Sequence, residues 1–357
     1  MTTLSIAIYD EDLTKEPMMR FHPDAIYTQL YPHFQERIRA NEPLSRHGAL
    51  GIGGRADLWI SLDSTHELET LVSFCAEQHV PLLVIGNGTN MLFAEKGMRG
   101  IVARMAARSY TIEEQADGTA LLLADAGVSW PRLIHELVPL GWGNLEFGAG
   151  IPGTLGGSIV TNAGTHNTDL GQYLQWIDVL DARGCNLEDD EEFAVPLVLR
   201  YSQSELDLEY RHSRFRQQRC ASFDHDGQLV AAPRHLIEPA EIVLRLALTL
   251  HREQPAQLYK RMQTYEISQQ RLVEPGKLHA GPIFKDPPEG KAAELIAQAG
   301  MSGFNVGRAT VSTKNANFII NESNASNTDI VTLITTIHQQ VLTRLDIDLS
   351  PDIELQG

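Results

Sequence analysis

Cysteine is scarce in this chain: Cys75, Cys185 and Cys220 are the only three in 357 residues, and no two form a C-x-x-C pair. That scarcity excludes a disulfide framework and a thiolate metal site, and suits reduced thiols in a cytosolic protein. Basic residues are also short, with 29 Lys and Arg against 46 Asp and Glu and a net charge of −17. Such a surface argues against nucleic acid or an anionic membrane as the main partner, although local basic groups and amides can still hold a phosphate. No apolar run reaches the length of a membrane span. The opening residues, MTTLSIAIYDEDLTKEP, carry acids where an export signal would carry bases. No repeat, coiled coil or low-complexity tract breaks the chain. A cytoplasmic monomer of two or three domains is the expectation at this length.

Glycine, in contrast, is concentrated. LEFGAGIPGTLGGSIVTNAG, residues 145–164, holds Gly148, Gly150, Gly153, Gly156, Gly157 and Gly164 around Pro152. An interior glycine costs a helix about 1 kcal/mol relative to alanine. The stretch therefore reads as a tight loop whose bare amides can approach an anionic ligand, the alternative being a glycine-rich connector. Residues 148–153 match G-x-G-x-x-G, and Asp169 lies roughly where a ribose-binding acid would stand. A dinucleotide fold needs a helix to begin there and run on. Gly156 and Gly157 follow at once, and Ser158-Ile159-Val160-Thr161 is β-prone, so that reading is rejected.

Elsewhere the pattern is that of a mixed α/β chain. A glycine turn at Gly51, Gly53 and Gly54 leads to a short apolar strand ending near Ile60. Helical spacing runs from His66 to His79, with Leu68, Leu71, Val72 and Cys75 on one face. A buried strand at 81–86 then enters a second glycine loop, Gly86-Asn87-Gly88-Thr89-Asn90. Strands are expected at 100–103, 120–126, 176–181 and 241–249, and a helix at 129–140 with Pro131 in its first turn. Residues 186–206, with Glu188-Asp189-Asp190-Glu191-Glu192, read as a solvated acidic loop. A basic segment, Tyr210-Arg211-His212-Ser213-Arg214-Phe215, follows. A helix from Pro255 to about Leu272 marks a domain junction. Beyond it lie a helix at 292–299, a strand within 311–321 and a helix at 328–345 with Ile330, Leu333, Ile334, Ile337, Val341 and Leu345 inward.

Seven segments in one order resemble the UDP-N-acetylenolpyruvoylglucosamine reductase (MurB) family: GIGGRADLWI (51–60), VIGNGTNMLF (84–93), GIPGTLGGSIVTNAG (150–164), YRHSRF (210–215), IFKDP (283–287), VSTKNANFIIN (311–321) and LSPDIELQG (349–357). The resemblance covers about residue 40 to the end, and the compact YRHSRF segment is more like the branch with the shorter C-terminal half. It implies an α+β fold in which two subdomains clasp FAD in the manner of vanillyl-alcohol-oxidase-type flavoproteins, beside a C-terminal α+β substrate domain. The implied limits are an N-terminal extension at 1–39, FAD-binding subdomains at 40–105 and 106–250, and a substrate domain at 251–357. The implied cofactor contacts are Gly86, Asn87, Gly88, Thr89 and Asn90, and Gly150, Ile151, Pro152, Gly153 and Gly157. The implied activity is NADPH-dependent reduction of the enolpyruvyl group of a UDP-sugar in peptidoglycan precursor synthesis, by hydride passed through FAD.

Arg211 and Asp352 would be catalytic, and Tyr210, Lys285 and Asp286 would bind substrate. The chain departs from the family at several of its motifs. Pro282 replaces the proton-donating hydroxyl of G-S-x-F-K-N-P, Asp286 its asparagine, Asp352 the C-terminal glutamate, and Asn315 the histidine of S-x-K-H-A-N-F. The position of Asp286 suggests a negative charge facing a diphosphate. Two functions stay open: a reductase whose proton comes from water or a hydroxyl such as Ser213, or a MurB-like FAD protein with another alkene substrate or a non-catalytic flavin- or nucleotide-binding role.

Overall fold

The structure, a computed structural model, describes residues 21–165, 168–186, 195–217 and 219–357. Three sheets with three principal cores position the site. The first sheet runs in the order Ile38–Pro43, Arg55–Leu62, Met98–Met105, Leu82–Ile85 and Ile237–Glu238. Its first pair is antiparallel and the remaining pairs are parallel. Helix α1 (Pro23–Phe34) buries Ile26, Leu30 and Phe34, and α2 (Thr65–Glu77) buries Leu68, Leu71, Val72 and Cys75 in the same core. Ser64 starts α2 by accepting the amide of Glu67 at 3.2 Å, a bond that satisfies one of the helix's orphan donors.

The accessory extension expected through residue 39 is thus not what the first core shows for residues 23–39. Helix α1 packs under the sheet, and Ile38 opens an edge strand of it. Arg37 adds a two-pronged hydrogen bond to Glu67, at 2.6 and 2.7 Å. The physical reason is the i, i+4, i+8 spacing of Ile26, Leu30 and Phe34, which forms one apolar stripe. Residues 1–20 lie outside the described residues.

The second sheet is antiparallel, in the order Leu197–Ser202, Leu174–Asp181, Glu241–Arg252, Thr119–Asp125 and Tyr110–Glu114, with Trp142–Gly143 also paired to Glu241–Arg252. Helix α3 (Trp130–Leu137) covers it, continued by a 3-10 turn to Leu140. Part of the stretch expected to be a loop is therefore an edge strand: Leu197–Ser202 pairs in register along Trp176–Asp181. The acidic run at 188–192 lies outside the described residues. Helix α5 (Pro255–Arg271) belongs to this second body by packing, since Leu258 and Met262 enter its core.

The third sheet orders Leu278–Pro282, Phe318–Asn321, Ala309–Val311 and Asn305–Val306, all antiparallel. Helices α6 (Ala292–Gln298) and α7 (Asn327–Leu345) cover it, and Ile330, Leu333, Ile334, Ile337 and Val341 are buried along α7. Leu50, Ile52 and Leu92 from the first body join this core. The chain's last strand, Glu354–Gln356, returns to pair in parallel with Met91–Phe93. The C-terminal and N-terminal bodies are therefore tied by main-chain bonds beside the second glycine loop.

Candidate active site

The central glycine stretch does contain a helix, contrary to the β reading of Ser158–Thr161. Helix α4 (Leu155–Val160) starts at Thr154, whose Oγ1 accepts the amide of Gly157 at 3.2 Å. A cap of this kind offsets poor intrinsic propensity. Gly156 is needed for contact rather than flexibility. A Cβ there would lie 2.6 Å from that of Ala126, at the end of a central strand. The dinucleotide fold remains excluded, because the short helix is not followed by a parallel strand: the next sheet strand, Leu174–Asp181, is antiparallel to both neighbours.

The two glycine loops form opposite walls of one cleft with about 1160 Å³ of empty space, its open mouth included. Gly86, Asn87, Gly88, Thr89 and Asn90 line one wall, and Ile151, Pro152, Gly153 and Gly157 the other. Thr89 Oγ1 reaches across to Pro152 O at 3.5 Å. Gly88 has φ +62°, and a Cβ on it would fall 2.1 Å from His47 O. At Gly86 a Cβ would meet Thr154 Oγ1 at 2.7 Å, so bare backbone lets the two loops approach. Gly153 and Gly157 have no atom nearer than 3.4 Å to the corresponding position, which leaves their main chain free to face a ligand. Gly150 departs from its expected place. It turns away against α5, where a Cβ would sit 2.9 Å from that of Gln269, and it does not line the cleft.

At one end of the cleft stand Arg211, Pro282 and Asp352. Arg211 is the third residue of a tight turn closed by Glu209 and His212, with φ +52°. A non-glycine residue there is uncommon and strained, which is often a mark of functional sites. The surroundings over-determine it. Buried Asn162 donates to Glu209 O at 2.9 Å and accepts from Gly171 N at 3.0 Å. Arg216 Nη1 donates to Arg211 O at 3.2 Å. Arg211 Nε then lies 3.6 Å from Asp352 Oδ2.

Asp352 is 2% exposed and more heavily engaged than the sequence suggested. Arg216, itself buried, donates to its Oδ1 and to its main-chain oxygen. Burial disfavours the Arg216 charge, but Asp352 and its neighbours hold the guanidinium's pKa above its ordinary value. Asn90 Nδ2 also donates to Asp352 O at 2.6 Å, and Asp352 N donates to Ile283 O at 2.7 Å. A second pair, Arg219 with Glu354 at 2.8 Å, lines the same cleft. Sequence reading missed Arg216, Arg219 and Glu354. No motif marked them: the two arginines follow the basic run at 210–215, and Glu354 sits within the C-terminal segment 349–357.

Four residues named from the sequence stand away from the cleft lining. Ser213 Oγ donates to Val160 O at 2.5 Å and is fully buried, so it anchors the loop to α4 and is no proton source for the cleft. Asp286 does not face a diphosphate with a free charge. Its carboxylate accepts Ala292 N at 2.9 Å, at the start of α6, and pairs with Lys291 at 2.8 Å. Tyr210 is exposed, and its hydroxyl accepts Asp286 N at 3.4 Å. Lys285 is held by its amide, which donates to Ser350 O at 2.9 Å. None of Tyr210, Lys285 and Asp286 lines the glycine-loop cleft.

Cleft, loops and C-terminal sheet match known proteins along nearly the whole chain. A family model described as the FAD binding domain matches residues 56–188. One described as the C-terminal domain of UDP-N-acetylenolpyruvoylglucosamine reductase matches residues 274–356. A reductase of that name from Heliobacterium modesticaldum is 32% identical, over 92% of this chain and 94% of its own. Another from Moorella thermoacetica is 34% identical, over 93% and 98%. The solved UDP-N-acetylenolpyruvylglucosamine reductase of Thermus caldophilus superposes with a TM-score of 0.67 at 26% identity, covering 90% of this chain and 99% of that one. The chain belongs to the UDP-N-acetylenolpyruvoylglucosamine reductase family.

Proposed function

We propose that this protein reduces the enolpyruvyl group of UDP-N-acetylglucosamine enolpyruvate to give UDP-N-acetylmuramate, with FAD as resident cofactor and NADPH as reductant. The observation that carries the reading is that Arg211, Asp352 and both glycine loops line one cleft. The loops fit a dinucleotide: bare main chain at Gly153 and Gly157 faces Gly86–Asn90 across a gap too narrow for a Cβ at Gly86. FAD, when bound, supplies a hydride carrier. The protein's own part is to bind, orient and stabilise. Arg211 offers a planar, bidentate fork to a carboxylate. Buried Asp352 and Arg216 keep that fork in place through the Asp352 contact and the bond to Arg211 O. A carbanion beside a carboxylate is stabilised by positive charge set where negative charge develops.

Pro282 lines the cleft where the family hydroxyl is expected and has neither a donor side chain nor an N–H. With Ser213 committed to Val160 O, water is left to deliver the proton. The second reading, another alkene acid as substrate, rests on that same proline. The test is an anaerobic experiment: load the protein with FAD, reduce it with NADPH, then add the UDP-enolpyruvyl sugar. Reoxidation at a catalytically competent rate supports the reductase. Reduction by NADPH without reoxidation by the sugar assigns the site to another alkene.

A further inference from the structure

The corner of the cleft holds more positive charge than its internal pairs consume. Arg211, Arg216 and Arg219 meet Asp352 and Glu354, three guanidinium groups against two carboxylates. This happens in a chain whose net charge is −17. Arg216 gives both of its terminal nitrogens to Asp352 and the main chain, and only its Nε is left without a partner among the described residues. Arg219 is not fully used. Its Nη2 is held by Glu354 at 2.8 Å, while its Nε is buried with no hydrogen-bond partner among the described residues. A buried donor of that kind left unmade costs about 1–3 kcal/mol, more when charged.

The main chain fixes where this pair stands. Ala221 N donates to Ile353 O at 3.0 Å, so the segment carrying Arg219 lies along the C-terminal tail. Glu354 N donates to Asn90 O at 3.1 Å, which sets Glu354 against the second glycine loop. Asp352 and Glu354 are two residues apart on extended chain and so share a face. Arg211 beside Asp352 and Arg219 beside Glu354 therefore form two adjacent cationic positions in one cleft wall.

We infer that Arg219, oriented by Glu354, is a second arginine that binds the substrate's carboxylate, sharing that anion with Arg211. The inference rests on the reductase reading and adds to it a specificity-determining pair. Arg219 selects the enolpyruvyl acid over the same UDP-sugar without its carboxylate. Glu354 is a positioning residue, acting through Arg219.

FAD-loaded protein is titrated calorimetrically with UDP-N-acetylglucosamine enolpyruvate and, separately, with UDP-N-acetylglucosamine, which lacks the carboxylate. In Arg219→Gln the affinity for the enolpyruvyl sugar should fall about 10- to 100-fold, the range for a lost charged hydrogen bond. Affinity for the carboxylate-free sugar should stay unchanged. Arg219→Lys should recover part of the loss, and Glu354→Gln should show the same selective loss, smaller in size. If Arg219→Gln does not retain FAD, Arg219→Lys and Glu354→Gln decide. Equal losses for both sugars, no loss for either, or a changed flavin reduction potential with sugar affinities intact would overturn the inference, the last result placing the pair on the cofactor. A wild type that binds neither sugar sinks the reductase reading itself. A wild type that binds and turns over, beside an indifferent Arg219→Gln, sinks only this inference.

Discussion

At the scale of the residue, the site is built on a buried ion pair whose partners lie 136 positions apart. Pairs like this are expensive to break from one side, because the partner is left as an uncompensated charge. Arg216→Met should therefore destabilise the fold by about 3–5 kcal/mol, read by chemical denaturation of the FAD-free protein. A loss below about 1 kcal/mol would show that Asp352 finds other partners. No local pattern announced Arg216, since its role comes from the tail folding back beside Asn90. The positions of Arg211 and Asp352 were legible, because each sits in a short motif that needs no long-range geometry to be noticed. Pro282 was legible in the same way, and its consequence is testable. Pro282→Ser places a hydroxyl on the cleft wall. Turnover of the enolpyruvyl sugar should then rise at least tenfold, given that a positioned acid contributes about 10²–10⁴. The solvent deuterium effect should shrink in parallel, and an unchanged isotope effect would mean protonation was never limiting.

At the scale of the element, sequence reading succeeded where apolar spacing decides and failed where packing overrides propensity. Helices α2 and α7 carry caps and clean apolar stripes, and both stand close to where spacing put them. Helix α4 has two glycines and two β-branched residues in six positions, yet forms because Thr154 caps it and Gly156 lets it touch Ala126. Helix α1 was legible and overlooked, its stripe hidden by Pro32 and by an N-terminal position. Phe34 is 3% exposed in the first core. Phe34→Ala should cost about 3–5 kcal/mol, whereas a dispensable extension would tolerate it within 0.5 kcal/mol, roughly the surface range. The clasp from Arg37 to Glu67 gives the same element a pH signature. Hydrogen bonding to Arg37, working against partial burial, holds the Glu67 carboxyl below the usual glutamate range. A depressed folded-state pKa contributes stability above the unfolded value of about 4.3, and that contribution is lost as pH falls through the folded value. Arg37→Met should be less stable than wild type by about 1 kcal/mol at pH 7, with the gap closing below about pH 4. A gap constant from pH 7 to pH 3 would rule out the clasp.

At the scale of the whole molecule, a strongly acidic protein has gathered a cationic corner inside a cleft. The long-range field should therefore respond to salt far more than the local contact does. A UDP-sugar acid is a polyanion, and at low ionic strength it approaches a body of charge −17. The Debye length is about 30 Å at 0.01 M and about 8 Å at 0.15 M, so the repulsive field is screened across that range. Charges enclosed by cleft walls are screened far less, and the contacts of Arg211 and Arg219 should survive. Electrostatic steering acts mainly on the rate of encounter. Capture of the enolpyruvyl sugar, measured as kcat/KM, should consequently rise severalfold from about 0.01 to about 0.15 M salt, while kcat stays level. A fall over the same range would mean that the arginine corner, rather than the acidic exterior, sets the field that the substrate meets on approach.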